Sequence, residues 1–381
     1  MSVPAASTLE AASSDGPPVP PPDRRAPRHR LQFSTTAALR TVIPLVLVVV
    51  VLSAYTDSQN AAFLSNNNLQ NILSQVAVLG ILAAGQTFLL IGGQIDLSVG
   101  SLVSFVAVVA ARQFAAGWSD AEVIAFALAT GAVVGLIWGL VVAFLDVPPF
   151  ILTLGGLSVF ASLALVLADN TPVPVASGLG SWGFGEWFGV RAPVVLLVVV
   201  VVLAGLVLHL TRFGRTTYAL GSSRPTTFLA GIPVRRHIVL LFVGNSMLAA
   251  FAGLVMMARL ASGDPRSGSG LELSVIAVTV LGGAALAGGR GTMIGSFLGV
   301  LVFGVVSASL TFLQVPGAYQ ALVSGGILII AVTITAAADL RAARARGQRG
   351  GGALRSVAQG LAGPLVRRPS RTAAGRDPAA D

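Results

Sequence analysis

The feature that most constrains this chain is a succession of long apolar runs almost empty of charge. They fall at approximately 38–56, 72–91, 98–116, 122–145, 150–168, 193–210, 237–259, 271–289, 292–313 and 318–338. A helix needs about 20 apolar residues to cross the hydrocarbon core of a bilayer, so each run is long enough for one span. Composition agrees: 54% of residues are apolar and 10% charged, where soluble domains carry about 25% charged. The fold class expected is all-α, a polytopic membrane protein of about ten transmembrane helices, because helices satisfy their own backbone in lipid. Glycines interrupt the apolar pattern around 92–101 and 283–295, and there the expected helices are broken.

The ends differ from the middle. Residues 1–37 are rich in Ala, Ser and Pro, include the run Pro17-Pro18-Val19-Pro20-Pro21-Pro22, and show no apolar periodicity. They are expected to form a disordered cytoplasmic tail. The basic cluster Arg24, Arg25, Arg28 and Arg30 lies deep, and no small-residue cleavage site follows a short apolar core, so the first apolar run is expected to be a retained span. Residues 38–338 form the transmembrane domain, and 339–381 an Arg-rich cytoplasmic tail.

Charge then orients the chain. All 24 basic residues are arginine, with five in 24–40, five in 211–236 and nine in 341–376. The positive-inside rule places all three segments in the cytoplasm. Ten spans put both termini and the loop after the sixth span on that same side, so count and charge agree. The arginines flank spans and form no folded basic face, which argues against nucleic acid and for contact with membrane lipid.

Several chemistries are excluded. There is no cysteine, hence no disulfide and no thiolate metal site. There is no lysine, hence no P-loop lysine for a nucleotide's phosphates. His29, His209 and His237 lie in the tail or beside the loop at 211–236, and no HExxH or GxSxG motif occurs. No catalytic residue, metal site or bound cofactor is expected, and the chain reads as a conduit rather than an enzyme.

Polar residues inside the runs need a reason, because an ionisable group in a span is costly unless paired or wet. Asp96 stands in Gly92-Gly93-Gln94-Ile95-Asp96-Leu97-Ser98-Val99-Gly100-Ser101. It either caps the following helix or orders a bend lining a solute path, with Ser98 beside it. A second cluster, Gly282-Gly283 then Gly288-Gly289-Arg290-Gly291-Thr292, echoes the first, a pattern common in transporters with internal repeats. Gly92, Gly93, Gly100, Gly282, Gly283, Gly288, Gly289 and Gly291 are the expected helix breaks. For Gly131, Gly135 and Gly139, close helix packing is the better reading. Gln86, Thr153 and Asn245 are candidate path residues, each open to the plainer role of bonding a neighbouring helix. Phe150 follows Pro148-Pro149 at a helix start and either stacks on a sugar-like ring or packs. Glu272 is expected to start the eighth span near the outer face.

Four ordered stretches carry a family resemblance. Residues 92–101 are similar to a Gly-Gly-x-Asp-Leu-Ser-x-Gly-Ser signature, and 147–155 (VPPFILTLG) to a Pro-x-Phe-x-x-Thr-Leu-Gly segment. Residues 211–235 (TRFGRTTYALGSSRPTTFLAGIPVR) resemble a cytoplasmic coupling loop, and 272–292 (ELSVIAVTVLGGAALAGGRGT) a Glu-Leu…Gly-Gly-x-Gly-Thr stretch. Together they resemble the permease of a bacterial ATP-binding-cassette importer of the ribose/xylose type, within the branched-chain amino acid and sugar permease superfamily. The sequence departs from that pattern at Arg224-Pro225-Thr226-Thr227, where small helix-favouring residues are usual, and at Ala284 and Ala285, where hydroxyl residues are usual.

The resemblance implies a type II importer architecture in the cell membrane. Two permease chains, identical or different, would form the path; two separate cytoplasmic ATPases would hydrolyse ATP; an extracytoplasmic solute-binding protein would deliver the solute. A short helix around 223–230 would dock on the ATPase, making Gly214, Arg215, Arg224, Leu229, Gly231 and Ile232 the coupling residues, with Arg224, Arg235 and Arg236 facing its acidic surface or lipid. The solute implied is a monosaccharide or a sugar-like compound. The alternatives are import of a nucleoside, polyol or amino acid by the same architecture, or a proton-coupled carrier with Asp96 as relay.

Overall fold

A computed structural model describes residues 35–175 and 178–316, with scattered positions up to 333. The chain is helical almost throughout these residues. Its helices are α1 (Thr35–Gln59), α2 (Asn66–Gln75), α3 (Ala77–Ile91), α4 (Val99–Ala115), α5 (Asp120–Phe144), α6 (Pro149–Leu167) and α7 (Gly180–Gly183). They continue as α8 (Ala192–Leu210), α9 (Arg212–Ser222), α10 (Arg224–Leu229), α11 (Val234–Leu260), α12 (Leu271–Leu281) and α13 (Met293–Phe312). Two-residue strands β1 (Val173–Pro174), β2 (Glu186–Trp187), β3 (Val190–Arg191) and β4 (Ser262–Gly263) lie between them.

Five helices are long and apolar enough to cross a membrane alone: α5, α6, α8, α11 and α13. The pair α2–α3, bent by 46°, makes a sixth when counted as one span, and α1, α4 and α12 supply shorter apolar helices. Nine of the ten expected runs thus carry helix, but the run 271–289 is helical only to Leu281. The run 318–338 is described only at scattered positions up to 333, and both tails lie outside the described residues, apart from Thr35, Thr36 and Ala37, where α1 has already begun.

The bundle is organised around α11. Of its most apolar segment 61% is buried, against 22% for α6 and α8, whose outward faces carry Ile151, Leu154, Val166, Val202 and Leu203. Gly131, Gly135 and Gly139 explain the close seat of α5 on α11. A Cβ at any of them would run into the α11 backbone at Ser246, Phe242 or Val239 respectively. Small residues four apart bring two backbones together, and packing is what holds helices in lipid. Gly80 of α3 instead makes room for the Leu197 side chain of α8.

Local signals set the ends of the helices. Ser119 and Glu122 form a reciprocal capping box at the start of α5. Pro149 and Pro193 occupy first-turn positions of α6 and α8, where the missing N–H costs nothing. Between β2 and β3, Phe188 and Gly189 both have positive φ, which matches the right-handed strand twist of a two-residue hairpin. Arg191 ties that hairpin to α2 through Asn67, Asn71 and Gln70.

Candidate functional site

The two glycine clusters form two breaks that pack on one another. The first runs from Gly92 to Ser98, between α3 and α4. Gly92 ends α3 with ordinary helical φ, and Gly93 then turns with φ +72°. Gly100 lies inside the first turn of α4 and is not part of the break. Its missing Cβ serves packing, because a side chain there would strike Glu272 and the Gly268 carbonyl. The second break separates α12 from α13. Gly282 caps α12, and Gly283, Gly288, Gly289 and Gly291 all have positive φ, a region closed to most other residues.

The first break is pinned by a buried polar cluster. Asp96 has no exposed surface. Its Oδ1 accepts hydrogen bonds from the Ser98 backbone N–H at 2.8 Å and the Ser98 hydroxyl at 2.6 Å. Its Oδ2 accepts from the Asn245 amide of α11 at 3.0 Å. Ser98 Oγ in turn accepts from Trp138 Nε1 of α5 at 3.1 Å. Thr153 Oγ1 of α6 accepts the Leu97 N–H at 3.1 Å and donates to the Pro149 carbonyl at 2.8 Å. An extended segment of four or five residues is thereby held by α5, α6 and α11 together. Irregular backbone inside a membrane needs such partners, since lipid offers none. The carboxylate satisfies Ser98 rather than capping α4 by its own position; Ser98 occupies the N-cap, but its hydroxyl makes no capping bond to the helix backbone.

Of the residues singled out from sequence, Asp96, Ser98, Thr153 and Asn245 are brought into this one cluster. Gln86 lies nearby on α3, next to Gly85, which touches Asn245. Its side chain is fully buried and neither its oxygen nor its nitrogen has a protein hydrogen-bond partner. Phe150 stands apart at the start of α6 with half its surface exposed. Trp138 was not picked out, although an indole N–H deep in a span demands an acceptor. Gly156 makes room for it, because a Cβ there would strike the Trp138 ring and approach Ser98.

The second break joins the first through hydrogen bonds and close backbone contact. Gly289 N–H donates to the Ile91 carbonyl at 2.8 Å, and Thr87 Oγ1 donates to Ser296 Oγ at 2.7 Å. Helix α9, in the loop between α8 and α11, closes over both. Its Gly221 lies so close that a Cβ would overlap the Ile91 carbonyl oxygen and press on the Gly289 nitrogen. Tyr218 of the same helix donates its hydroxyl to the Gly291 carbonyl at 2.7 Å. Burial pushes the Tyr218 pKa up to about 12, so the hydroxyl keeps its proton at neutral pH.

The rest of that loop points outward. Ser223 caps α10 by accepting the Thr226 N–H. Phe228 and Leu229 are 70% and 84% exposed at its tip. Gly231 turns the chain with φ +77°, and Ile232 N–H returns to the Thr227 carbonyl. Gly214 is packed on the Leu208 backbone, and Arg215 reaches the Leu210 carbonyl at the end of α8. Arg224 departs from expectation. It forms an ion pair with Asp146 in the α5–α6 turn at 3.1 Å, so it braces α10 against the protein's own spans. Arg235 likewise lies over the Phe144 ring, 5.4 Å from its centre, instead of standing free. Among the described residues no three His, Asp or Glu side chains cluster as a metal site would require.

The structure is thus a helical membrane bundle with two interlocked breaks, over which the loop between α8 and α11 closes. The chain belongs to the family described as the branched-chain amino acid transport system / permease component, which it matches over residues 68–332. Its relatives include the ribose import permease protein of Escherichia coli strain K12, 36% identical over 76% of this chain and 92% of the relative. The L-arabinose ABC transporter permease protein of Azospirillum brasilense is 36% identical, covering 76% of this chain and 85% of its own length. The xylose transport system permease protein of Haemophilus influenzae is 31% identical over 78% and 96% respectively. No solved structure matches the chain.

Proposed function

We propose that this chain is the membrane-spanning permease of an ATP-driven importer for a monosaccharide, with pentoses the first candidates. Two permease chains enclose the path, two cytoplasmic ATPases bind and hydrolyse ATP, and an extracytoplasmic binding protein delivers the sugar. The chain itself holds no cofactor. The observation that carries the reading is the double role of the α9–α10 loop. Its inner side grips both breaks through Gly221 and Tyr218, while its outer side offers Phe228 and Leu229 to a partner. Similarity to ribose, arabinose and xylose permeases supports the class of solute.

In this scheme nucleotide-driven closure of the ATPases displaces α10, and α9 passes the displacement to the breaks. A packed junction of this kind moves between discrete arrangements and does not deform gradually. The Asp96 cluster then acts as the fixed end of the first break, and Gln86, Ser98, Thr153 and Asn245 contribute polar groups near the path.

The coupling assignment is tested at Gly231 and Arg224. Gly231→Pro asks for φ near −65° where the chain has +77°, and Arg224→Glu sets two carboxylates against each other at Asp146. Both variants should remain in the membrane and lose sugar uptake by at least about tenfold, while the ATPase continues to turn over. Normal uptake in both would show that this loop does not couple.

Orientation has its own test. Both termini and the α9–α10 loop face the cytoplasm, which places 57–70 outside. Because the chain lacks cysteine, Asn60→Cys offers a single thiol. It should react with a membrane-impermeant maleimide in intact cells, and complete protection there would invert the topology.

A further inference from the structure

The connection between α11 and α12 does not stay at the membrane surface. Gly263 packs on Ala107 and Ala111 of α4, and five residues later Gly268 packs on the Gly100 carbonyl. Gly268 N–H also donates to Ser104 Oγ at 2.8 Å. The segment therefore descends along α4 from near its end to its first turn. Gly100 is fifteen residues from Ala115, where α4 ends beside the exposed Trp118. At 1.5 Å per residue that is about 22 Å along α4 from its end, most of the thickness of a hydrocarbon core of about 30 Å. Glu272, whose carboxylate lies against Gly100, is at that depth and not near the outer face.

At this depth the segment is neither helical nor covered. Ser269 and Gly270 are exposed, Glu272 is partly exposed, and Arg266 and Asp264 lie on the same descending stretch. Arg266 reaches back toward the surface, donating to the Asn170 carbonyl at 3.3 Å. Non-helical backbone with exposed polar groups cannot face lipid; it must be covered by protein or line water. Charged side chains along the same stretch favour water. Glu272 belongs to the first turn of α12, whose macrodipole favours a negative charge there. One of its oxygens accepts the Gly270 N–H at 3.2 Å.

We propose that residues 264–272 form a re-entrant wall of the translocation path, where the Glu272 carboxylate and Ser269 hydroxyl bind the hydroxyl groups of a neutral polyhydroxylated solute. A carboxylate accepts two adjacent hydroxyls, a match for a sugar's vicinal diol, and charge-assisted bonds of this kind are the stronger ones. The inference rests on the permease reading above and adds to it a residue that selects the solute.

Single thiols in the cysteine-free chain test it. With the permease reconstituted in nanodiscs, Ser269→Cys should react with a charged methanethiosulfonate within about tenfold of the rate at Asn60→Cys. The fully buried Val275→Cys should lag by about a hundredfold or more. An unreactive Ser269→Cys would mean that this face is covered by lipid or a second chain, and the proposal would fail. In vesicles with the complete transporter, Glu272→Gln should raise the apparent KM for ribose, xylose or arabinose by about tenfold and alter their relative ranking. An unchanged KM and ranking would remove Glu272 from the site. Labelling does not depend on transport, so an unreactive thiol in a complex that still takes up sugar overturns this inference alone.

Discussion

Asp96→Ala will leave the permease unable to hold its first break. Three donors converge on that carboxylate: the Ser98 N–H, the Ser98 hydroxyl and the Asn245 amide, all in a fully buried site. Removing the acceptor strands them where neither water nor lipid can replace it, at a cost of about 2–4 kcal/mol. That is a large share of the marginal stability of any fold. Asp96→Asn keeps one acceptor oxygen for Ser98 and directs an amide toward Asn245, so it should cost roughly half as much. Thermal unfolding of the purified protein in detergent separates the two. The expected order is wild type, then Asn, then Ala well below. If Ala unfolds with the wild type, the cluster does not pin the break.

Gly221→Val should abolish coupled transport while the chain still inserts. A Cβ at Gly221 overlaps the Ile91 carbonyl and presses on Gly289, so a larger side chain must lift α9 off both breaks. Sugar uptake is expected to fall more than about tenfold, since close-packed junctions do not absorb added volume cheaply. Tyr218→Phe removes the bond to the Gly291 carbonyl and should cost about fivefold. Gly244→Ala is the control, because open space surrounds that position, and it should transport normally. Wild-type uptake by Gly221→Val would separate α9 from the breaks.

Much of this fold was legible because lipid imposes a simple code. Apolar runs of about twenty residues mark helices, and the glycine clusters mark where helices stop. What single runs cannot show is how they meet. Asp96, Ser98, Thr153 and Asn245 each stood out as polar groups in apolar surroundings, but their convergence depends on the crossing of α4, α6 and α11. Trp138 carries no such signature, because its N–H is informative only once an acceptor is known. Gly100 followed the pattern of a break yet serves a close contact with Gly268 and Glu272. The segment 261–270 hides its descent for a related reason. Its polar composition fits a surface, and its descent rests on glycine contacts with residues over 150 positions earlier in the chain. The family resemblance implies that Arg224 faces an acidic partner surface or lipid, and its ion pair with Asp146, 78 positions away, has no local signal in the sequence.

One measurement bears most directly on the central claim: uptake of radiolabelled ribose, xylose and arabinose into vesicles holding this permease with its ATPase, the binding protein being supplied outside. Accumulation of at least one pentose that requires both ATP inside and the binding protein outside is the predicted result. Uptake that proceeds without ATP or binding protein, driven instead by a proton gradient, would contradict it.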